Sequence, residues 1–179
     1  MNFQQQWFRP VSQEVTLMLN GEFGIGHGYG GKPLPFFKNF YAGGPGSVRG
    51  FEPMSLGPRD INNNALGGTS RVVGNAELLF PMPGLSKEKS VRLSVFADAG
   101  AVYGTSNLSG AGSILSGSPV TAASGTGALP GSSGLRYSVG AALTWISPVG
   151  PLKISFGKAL NAKPDDKLQK FQFTLGSVF

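Results

Sequence analysis

Residues 91–103 read VRLSVFADAGAVY, and this stretch decides the fold class. Its odd positions are apolar from Val91 to Tyr103, whereas its even positions include Arg92, Ser94 and Asp98. Because successive side chains of a β-strand point to opposite faces, this alternation predicts a strand with one apolar and one polar face. The stretch is longer than an average soluble strand of about 5–6 residues and long enough for a tilted membrane-crossing strand of about 9–11.

The same alternation recurs along the chain. The well-patterned segments are 14–25, 71–80, 91–103, 135–145, 152–157 and 171–179, and a weaker one covers 3–7. The connections differ in character: those at 10–13, 81–90 and 147–151 are short, whereas those at 27–69, 105–134 and 161–167 are long or polar. Short turns on one side and long loops on the other are typical of outer-membrane barrels.

The sequence therefore predicts an all-β fold, an antiparallel transmembrane β-barrel. Seven strands would place the first and last in the same direction, whereas bacterial barrels normally have an even number of strands. An open sheet edge in lipid costs several kcal/mol per unpaired group. We therefore expect about seven strands of a larger barrel, with the edges covered by more chain, another copy or detergent. A soluble β-sandwich also explains the alternation, but it explains the strand lengths and the sorted loops less well.

Composition narrows the function classes. The chain has 179 residues, which suits one domain, and 40% of them are hydrophobic, which disfavours disorder. It contains no cysteine and one histidine, His27, so thiolate metal sites and histidine-based metal or catalytic sites are disfavoured. The net charge of +6 is spread singly along the chain. We therefore expect neither nucleic-acid binding nor a metal.

A second informative stretch is the glycine-rich and aromatic run from Phe40 to Phe51, with Arg49 near its tip. An arginine keeps its charge at any reachable pH and offers five donors in a fixed fork. A buried arginine at this tip would need a carboxylate. Two candidates, Glu77 and Asp98, lie on the polar faces of alternating segments. A paired acid and base of an enzyme would need more assumptions than an ion pair on the wall.

These motifs together resemble the C-terminal part of the barrel in the BamA family of outer-membrane protein assembly factors. The segments that carry the resemblance are 28–32 (GYGGK), 35–44 (PFFKNFYAGG), 47–51 (SVRGF), 98–100 (DAG), 145–151 (WISPVGP) and 171–176 (FQFTLG). The resemblance implies a barrel of about sixteen strands preceded by soluble periplasmic repeats. Residues 1–179 would be the C-terminal portion of that barrel, and we expect the periplasmic repeats to be absent from them.

The resemblance also implies roles for particular residues. The connection 27–69 matches a long extracellular loop that folds into the barrel. Its loop-anchoring motif would be Val48, Arg49, Gly50 and Phe51, and the lumen partners of Arg49 would be Glu77 and Asp98.

The last strand would form one side of a lateral gate, because the first and last strands of such barrels pair weakly. The gate residues on it would be Phe171, Phe173, Gly176 and Phe179. Gly176 would either weaken and kink the strand or accommodate a bulky neighbour.

The expected function is the folding and insertion of other β-barrel proteins in the bacterial outer membrane. The resemblance implies no enzymatic step and no cofactor. It implies unfolded outer-membrane proteins as substrates, contact with outer-membrane lipid, and accessory assembly lipoproteins as partners of the full-length parent. Two alternatives remain at this point: a related two-partner secretion transporter pore and a soluble β-sandwich binding module.

Overall fold

The computed structural model describes residues 1–30, 32, 34–59, 62–82, 90–104, 134–147 and 150–176. The strands in these residues are β1 (Asn2–Pro10), β2 (Thr16–Ile25), β3 (Gly50–Phe51), β4 (Ser70–Pro81), β5 (Val91–Tyr103), β6 (Arg136–Ser147), β7 (Gly150–Ala159), β8 (Leu168–Gln169) and β9 (Phe171–Leu175). A 3-10 turn, Phe36–Lys38, lies in the long connection between β2 and β4. Within the described part of the chain, no helix is long and apolar enough to cross a bilayer.

Seven strands form one antiparallel sheet in the order β1-β2-β4-β5-β6-β7-β9, and β3 pairs with β8 in a separate two-stranded ribbon. Neighbours in the large sheet follow chain order, so each strand turns back beside the preceding one. Among the described residues, β1 and β9 each pair on one side only. The predicted all-β antiparallel fold is confirmed, and the sheet is an open section of a barrel wall.

The strand boundaries agree with the alternation where it was strong. β5 has the bounds of the predicted segment, whereas β1 is a full strand of 9 residues although its pattern was weak. Within the described part of the predicted segment 171–179, β9 covers Phe171–Leu175 and Gly176 forms a bend. The predicted gate residue Phe179 lies outside the described residues, as do 83–89, 105–133 and 148–149 of the predicted turns and loops.

The two faces of the sheet are exposed in the opposite sense to a soluble protein. On β5 the side chains of Ser94 and Asp98 are buried, whereas Val95 is 45% exposed. On β6 Ser138 is 1% exposed and Val139 is 38% exposed. Other large apolar side chains on the exposed face include Phe23, Val72, Leu78, Tyr137, Ile154, Phe156, Phe171 and Phe173. Soluble monomers rarely expose so large an apolar surface, so the β-sandwich interpretation is wrong and the apolar face is the lipid face of a barrel.

The long connection between β2 and β4 covers the polar face. Its base is closed by a hydrogen bond from Gly26 N to Thr69 O of 2.8 Å, and its tip packs into the concave side of the sheet. Val48 and Phe51 near the tip are fully buried. They belong to a small apolar cluster with Ala42, Leu56, Val73 and Val102. The predicted inward-folding loop is therefore present, and it supplies the core that the polar face of the sheet cannot.

The exposure pattern predicts opposite environments for probes on the two faces. Nitroxide labels at Val95→Cys and Val139→Cys, carried in the full-length protein in lipid, should be relaxed by oxygen, which concentrates in the bilayer. Labels at Gln4→Cys and Gln6→Cys, which the register places on the polar face, should be relaxed by a water-soluble nickel chelate. This chain contains no cysteine, and any cysteine elsewhere in the full-length protein is replaced by serine before labelling. Equal oxygen accessibility at all four positions would contradict the assignment of faces.

Candidate functional site

The tip of the inward loop is held by a buried arginine. The Arg49 side chain is 4% exposed. Its Nε donates to Asp98 Oδ2 and its Nη2 to Asp98 Oδ1, both at 2.8 Å, while Nη1 donates to Glu77 Oε2 at 2.7 Å. The guanidinium thus uses its planar fork on one carboxylate and a third donor on the other. The structure places Arg49 against both acids that the sequence suggested.

Further polar groups complete the coordination of the two acids. Asp98 Oδ2 also accepts the backbone N–H of Arg49 at 3.0 Å, and Asp98 Oδ1 accepts Asn75 Nδ2 at 2.9 Å. Glu77 Oε1 accepts the Ser94 hydroxyl at 2.6 Å. Lys153 Nζ lies 3.0 Å from Glu77 Oε1 and 3.1 Å from Oε2. Both carboxylates are therefore saturated by cations and donors, which suits a structural anchor rather than an acid–base pair.

The strand register explains how the two acids meet. Glu77 on β4 lies opposite Phe96 on β5, and Asn75 lies opposite Asp98. Glu77 and Asp98 are therefore diagonal neighbours on one face, a distance that one guanidinium spans. The Phe96 ring lies beneath the same group, with Arg49 Cζ 3.5 Å from the ring centroid. This contact adds a cation–π interaction to the ion pairs.

The electrostatic balance keeps the arginine charged. Burial on its own would lower the pKa of Arg49, but its hydrogen bonds to Asp98 and the charges of Asp98 and Glu77 raise that pKa above its ordinary value. With Lys153, the site contains two positive and two negative side chains. The cluster is neutral as a whole, which lowers the cost of burying it.

Glycines allow the loop to lie directly on the barrel wall. Gly50 has a φ of 89°, in the left-handed region that favours glycine. It faces Gly157 of β7, where a Cβ would lie 2.9 Å from Gly50 N and 3.1 Å from Gly50 Cα. The two backbones therefore touch with no side chain between them, and this contact accounts for the glycine after the arginine.

The rest of the predicted motif also has a defined place. Phe51 pairs with Leu168 in the β3–β8 ribbon. Its carbonyl accepts Gln172 Nε2 at 2.7 Å, so the loop tip is bonded to the last strand as well as to β4 and β5. Val48 packs in the apolar cluster beside Val73.

The described gate residues that the sequence suggested lie in two different settings. Phe171 and Phe173 are exposed on the apolar face of β9. Gly176 follows the strand with a φ of 83°, and a Cβ there would have nothing within 4 Å. Its backbone conformation, rather than a bulky neighbour, therefore requires glycine, and its N–H bonds Pro151 O at 2.9 Å.

Sequence reasoning missed two groups at this site. Lys153 was not predicted as a partner of Glu77, because β7 comes close to Glu77 only through the register of the intervening strands. Phe96 was missed because nothing in its spacing indicates that its ring lies beneath the guanidinium. Both residues lie on the polar face of the sheet, and this shared face is the signal that could have identified them.

Comparison with known proteins decides the family. The Omp85 superfamily domain matches residues 1–179. The chain belongs to the Omp85 superfamily. It is 47% identical over 183 aligned positions to the outer membrane protein assembly factor BamA of Neisseria meningitidis serogroup B, covering 98% of the chain and 23% of the relative. It is 30% identical to the sorting assembly machinery 50 kDa subunit of Saccharomyces cerevisiae over 149 positions, covering 82% of the chain and 28% of that protein.

A solved structure agrees with the fold of this Omp85 chain. The crystal structure of BamA from Haemophilus ducreyi lacking POTRA domains 1–3 superposes with a TM-score of 0.72 at 31% identity, covering 96% of this chain and 33% of that one. The chain thus spans only about a quarter to a third of the length of these three proteins. Membership of the family and the lipid-facing sheet place it in the outer membrane of a bacterium.

Removing the guanidinium should undock the loop of this Omp85 barrel. Arg49→Ala leaves two buried carboxylates with Lys153 as their remaining cation, a change that typically costs about 3–5 kcal/mol for a broken buried pair. Arg49→Lys should restore part of this, because an ammonium cannot form the fork. Limited proteolysis of the full-length protein in detergent should cleave Arg49→Ala fastest, Arg49→Lys more slowly and the wild type slowest. The control is Arg92→Ala, an exposed arginine on β5; equal cleavage of Arg49→Ala and the control would contradict the anchor.

The glycine contact predicts a size limit at one position of β7. Gly157→Ala should destabilise loop docking by about 1–3 kcal/mol, the usual cost of overpacking, because its Cβ meets the Gly50 backbone. Gly74→Ala in β4 is the matched control, since a Cβ there has nothing within 4 Å. Thermal unfolding of the two variants should separate them; equal melting temperatures would show that the loop can shift away from β7 without cost.

Proposed function

We propose that this chain is the C-terminal part of an outer-membrane β-barrel that folds and inserts other β-barrel proteins. The observation that carries the proposal is the 47% identity, across 98% of the chain, to a protein named as an outer membrane protein assembly factor. A second named assembly-machinery relative from a eukaryote supports the same function. The activity belongs to the full-length protein, of which this chain supplies the docked loop and the last strand.

The proposed working element is the edge of β9 that faces away from β7, the side of the lateral gate that the sequence predicted. Among the described residues, β9 pairs with β7 and presents its other edge unpaired. An unpaired strand edge can add a further strand through backbone hydrogen bonds. A substrate strand would pair with this edge and enter lipid with its backbone groups already satisfied, which avoids the several kcal/mol per unpaired group that lipid imposes.

The proposed process needs no covalent step and no cofactor. Its free energy comes from burying the substrate's apolar face in lipid and from completing its strand ladder. The partners are unfolded outer-membrane proteins, outer-membrane lipid and, for the full-length protein, accessory assembly lipoproteins. The buried ion-pair cluster around Arg49 holds the loop inside the barrel during this exchange of strands.

The test is a crosslinking experiment on the full-length protein in liposomes. A urea-unfolded eight-stranded barrel protein with one cysteine in its last strand is added, and folding is stopped by oxidation at early times. Phe173→Cys on β9 should form a disulfide with the substrate. Val95→Cys is the matched control: it is also on the lipid face, but β5 is paired on both sides and should give no adduct.

The outcomes separate the two membrane functions. Adducts at Phe173→Cys, together with substrate that becomes protease-resistant within the bilayer, support insertion. Substrate that accumulates unfolded inside the liposome lumen would favour the transporter alternative. Equal adduct yields from β5 and β9 would contradict strand templating by the edge.

A further inference from the structure

A second buried ion cluster lies away from the loop tip. Arg59, on the returning half of the loop, is 2% exposed. Its Nη2 donates to Ser55 O at 2.7 Å and its Nη1 to Asn63 Oδ1 at 2.8 Å, within the loop. Nη1 also donates to the backbone carbonyl of Asp165, in the connection between β7 and β8. Arg59 thus joins the long loop to the segment that precedes the last strand.

Asp166 is the acid that links this segment to the sheet. Its side chain is 4% exposed. Oδ2 accepts Arg136 Nε of β6 at 2.7 Å and the backbone N–H of Lys163 at 2.8 Å. Oδ1 accepts Arg136 Nη2 at 3.3 Å and Arg59 Nη2 at 3.4 Å. One carboxylate therefore bridges a loop arginine and a wall arginine, and removing it would leave two buried positive charges facing each other.

The chain runs from Asp166 directly into the last strand. Glu52 N bonds Lys167 O at 2.9 Å, and β3 then pairs with β8. Beyond the ribbon, Lys170 O accepts Gly157 N at 2.8 Å. The loop thus contacts this segment from Asp165 to Gln169, and β7 bonds Lys170, the residue before β9.

β9 depends on these contacts because its own pairing is short. It has 5 residues, all paired with β7, whereas β7 has 10 residues. We propose that Asp166 is a positioning residue: it latches the loop to β6 and so holds the start of β9 in place. Its importance for strand exchange rests on the proposed function, but the latch itself is a property of the barrel.

The experiment measures how well the start of β9 is protected from local opening. Hydrogen–deuterium exchange is followed on the full-length protein in lipid nanodiscs. Asp166→Asn, which keeps the size of the side chain but removes its charge, should speed exchange of the amides in 168–175 by about tenfold or more, as expected for loss of a buried ion pair acting on a locally opening segment. Amides of β4 and β5 should be unchanged. Asp165→Asn is the matched control, because that residue is exposed and contributes its backbone carbonyl.

An engineered disulfide between the loop and the segment before β8 distinguishes a positioning role of Asp166 from a general effect on stability. Glu52→Cys with Lys167→Cys, at the adjoining pair of the ribbon, should form a disulfide, since opposed antiparallel residues lie about 5.5 Å apart. In the Asp166→Asn background, oxidation should return exchange in 168–175 to the wild-type rate, and reduction should release it. Exchange equal to that of Asp165→Asn, faster exchange spread over β4 and β5, or failure of the disulfide to restore protection would each overturn the latch. None of these readouts requires insertion activity, so they remain informative even if the insertion experiment fails.

Discussion

The buried guanidinium of Arg49 is the constraint on which the loop depends. A charge taken out of water is tolerated only when it is paired and hydrogen-bonded, and here the loop brings the cation while β4 and β5 bring Glu77 and Asp98. Without the loop the two carboxylates would lose the Arg49 guanidinium, and without the two strands the guanidinium would lose both carboxylates. The docked loop and the strand register therefore stabilise each other. Lys153, on β7, adds the second positive charge that makes the cluster neutral.

The loop is needed because the sheet exposes its apolar face and buries its polar face. Its apolar face meets lipid, so the concave face carries polar and small side chains and cannot form a hydrophobic core. The loop supplies what is missing: Val48 and Phe51 form the apolar cluster, and glycines at Gly50 and Gly157 let the two backbones touch. The loop thus takes the place of a core in the part of the barrel described by the structure.

The sequence predicted the features whose signal lies in neighbouring residues, and it missed those that depend on residues far apart in the chain. Alternation of period two located β5 to the residue and placed Glu77 and Asp98 on the polar face. It underestimated β1, because Gln4, Gln5 and Gln6 interrupt the pattern at an edge strand. The two-residue strands β3 and β8 have no period to detect. The cluster joining Arg59, Asp166 and Arg136 was missed, because it joins two connections and a strand end, whose meeting depends on the folded loop rather than on spacing.

The last strand β9 is held both by a short ladder with β7 and by contacts with the loop. A last strand with a longer ladder to β7 would depend less on the loop, but it would also be harder to release. A short strand held partly by the β3–β8 ribbon and by Gln172 can be ordered at rest and still be released when those contacts break. Because the same loop is anchored on Glu77 and Asp98, movement of its tip is mechanically connected to the start of β9, and the ion pairs inside the barrel bear on the edge where we propose that substrate strands pair.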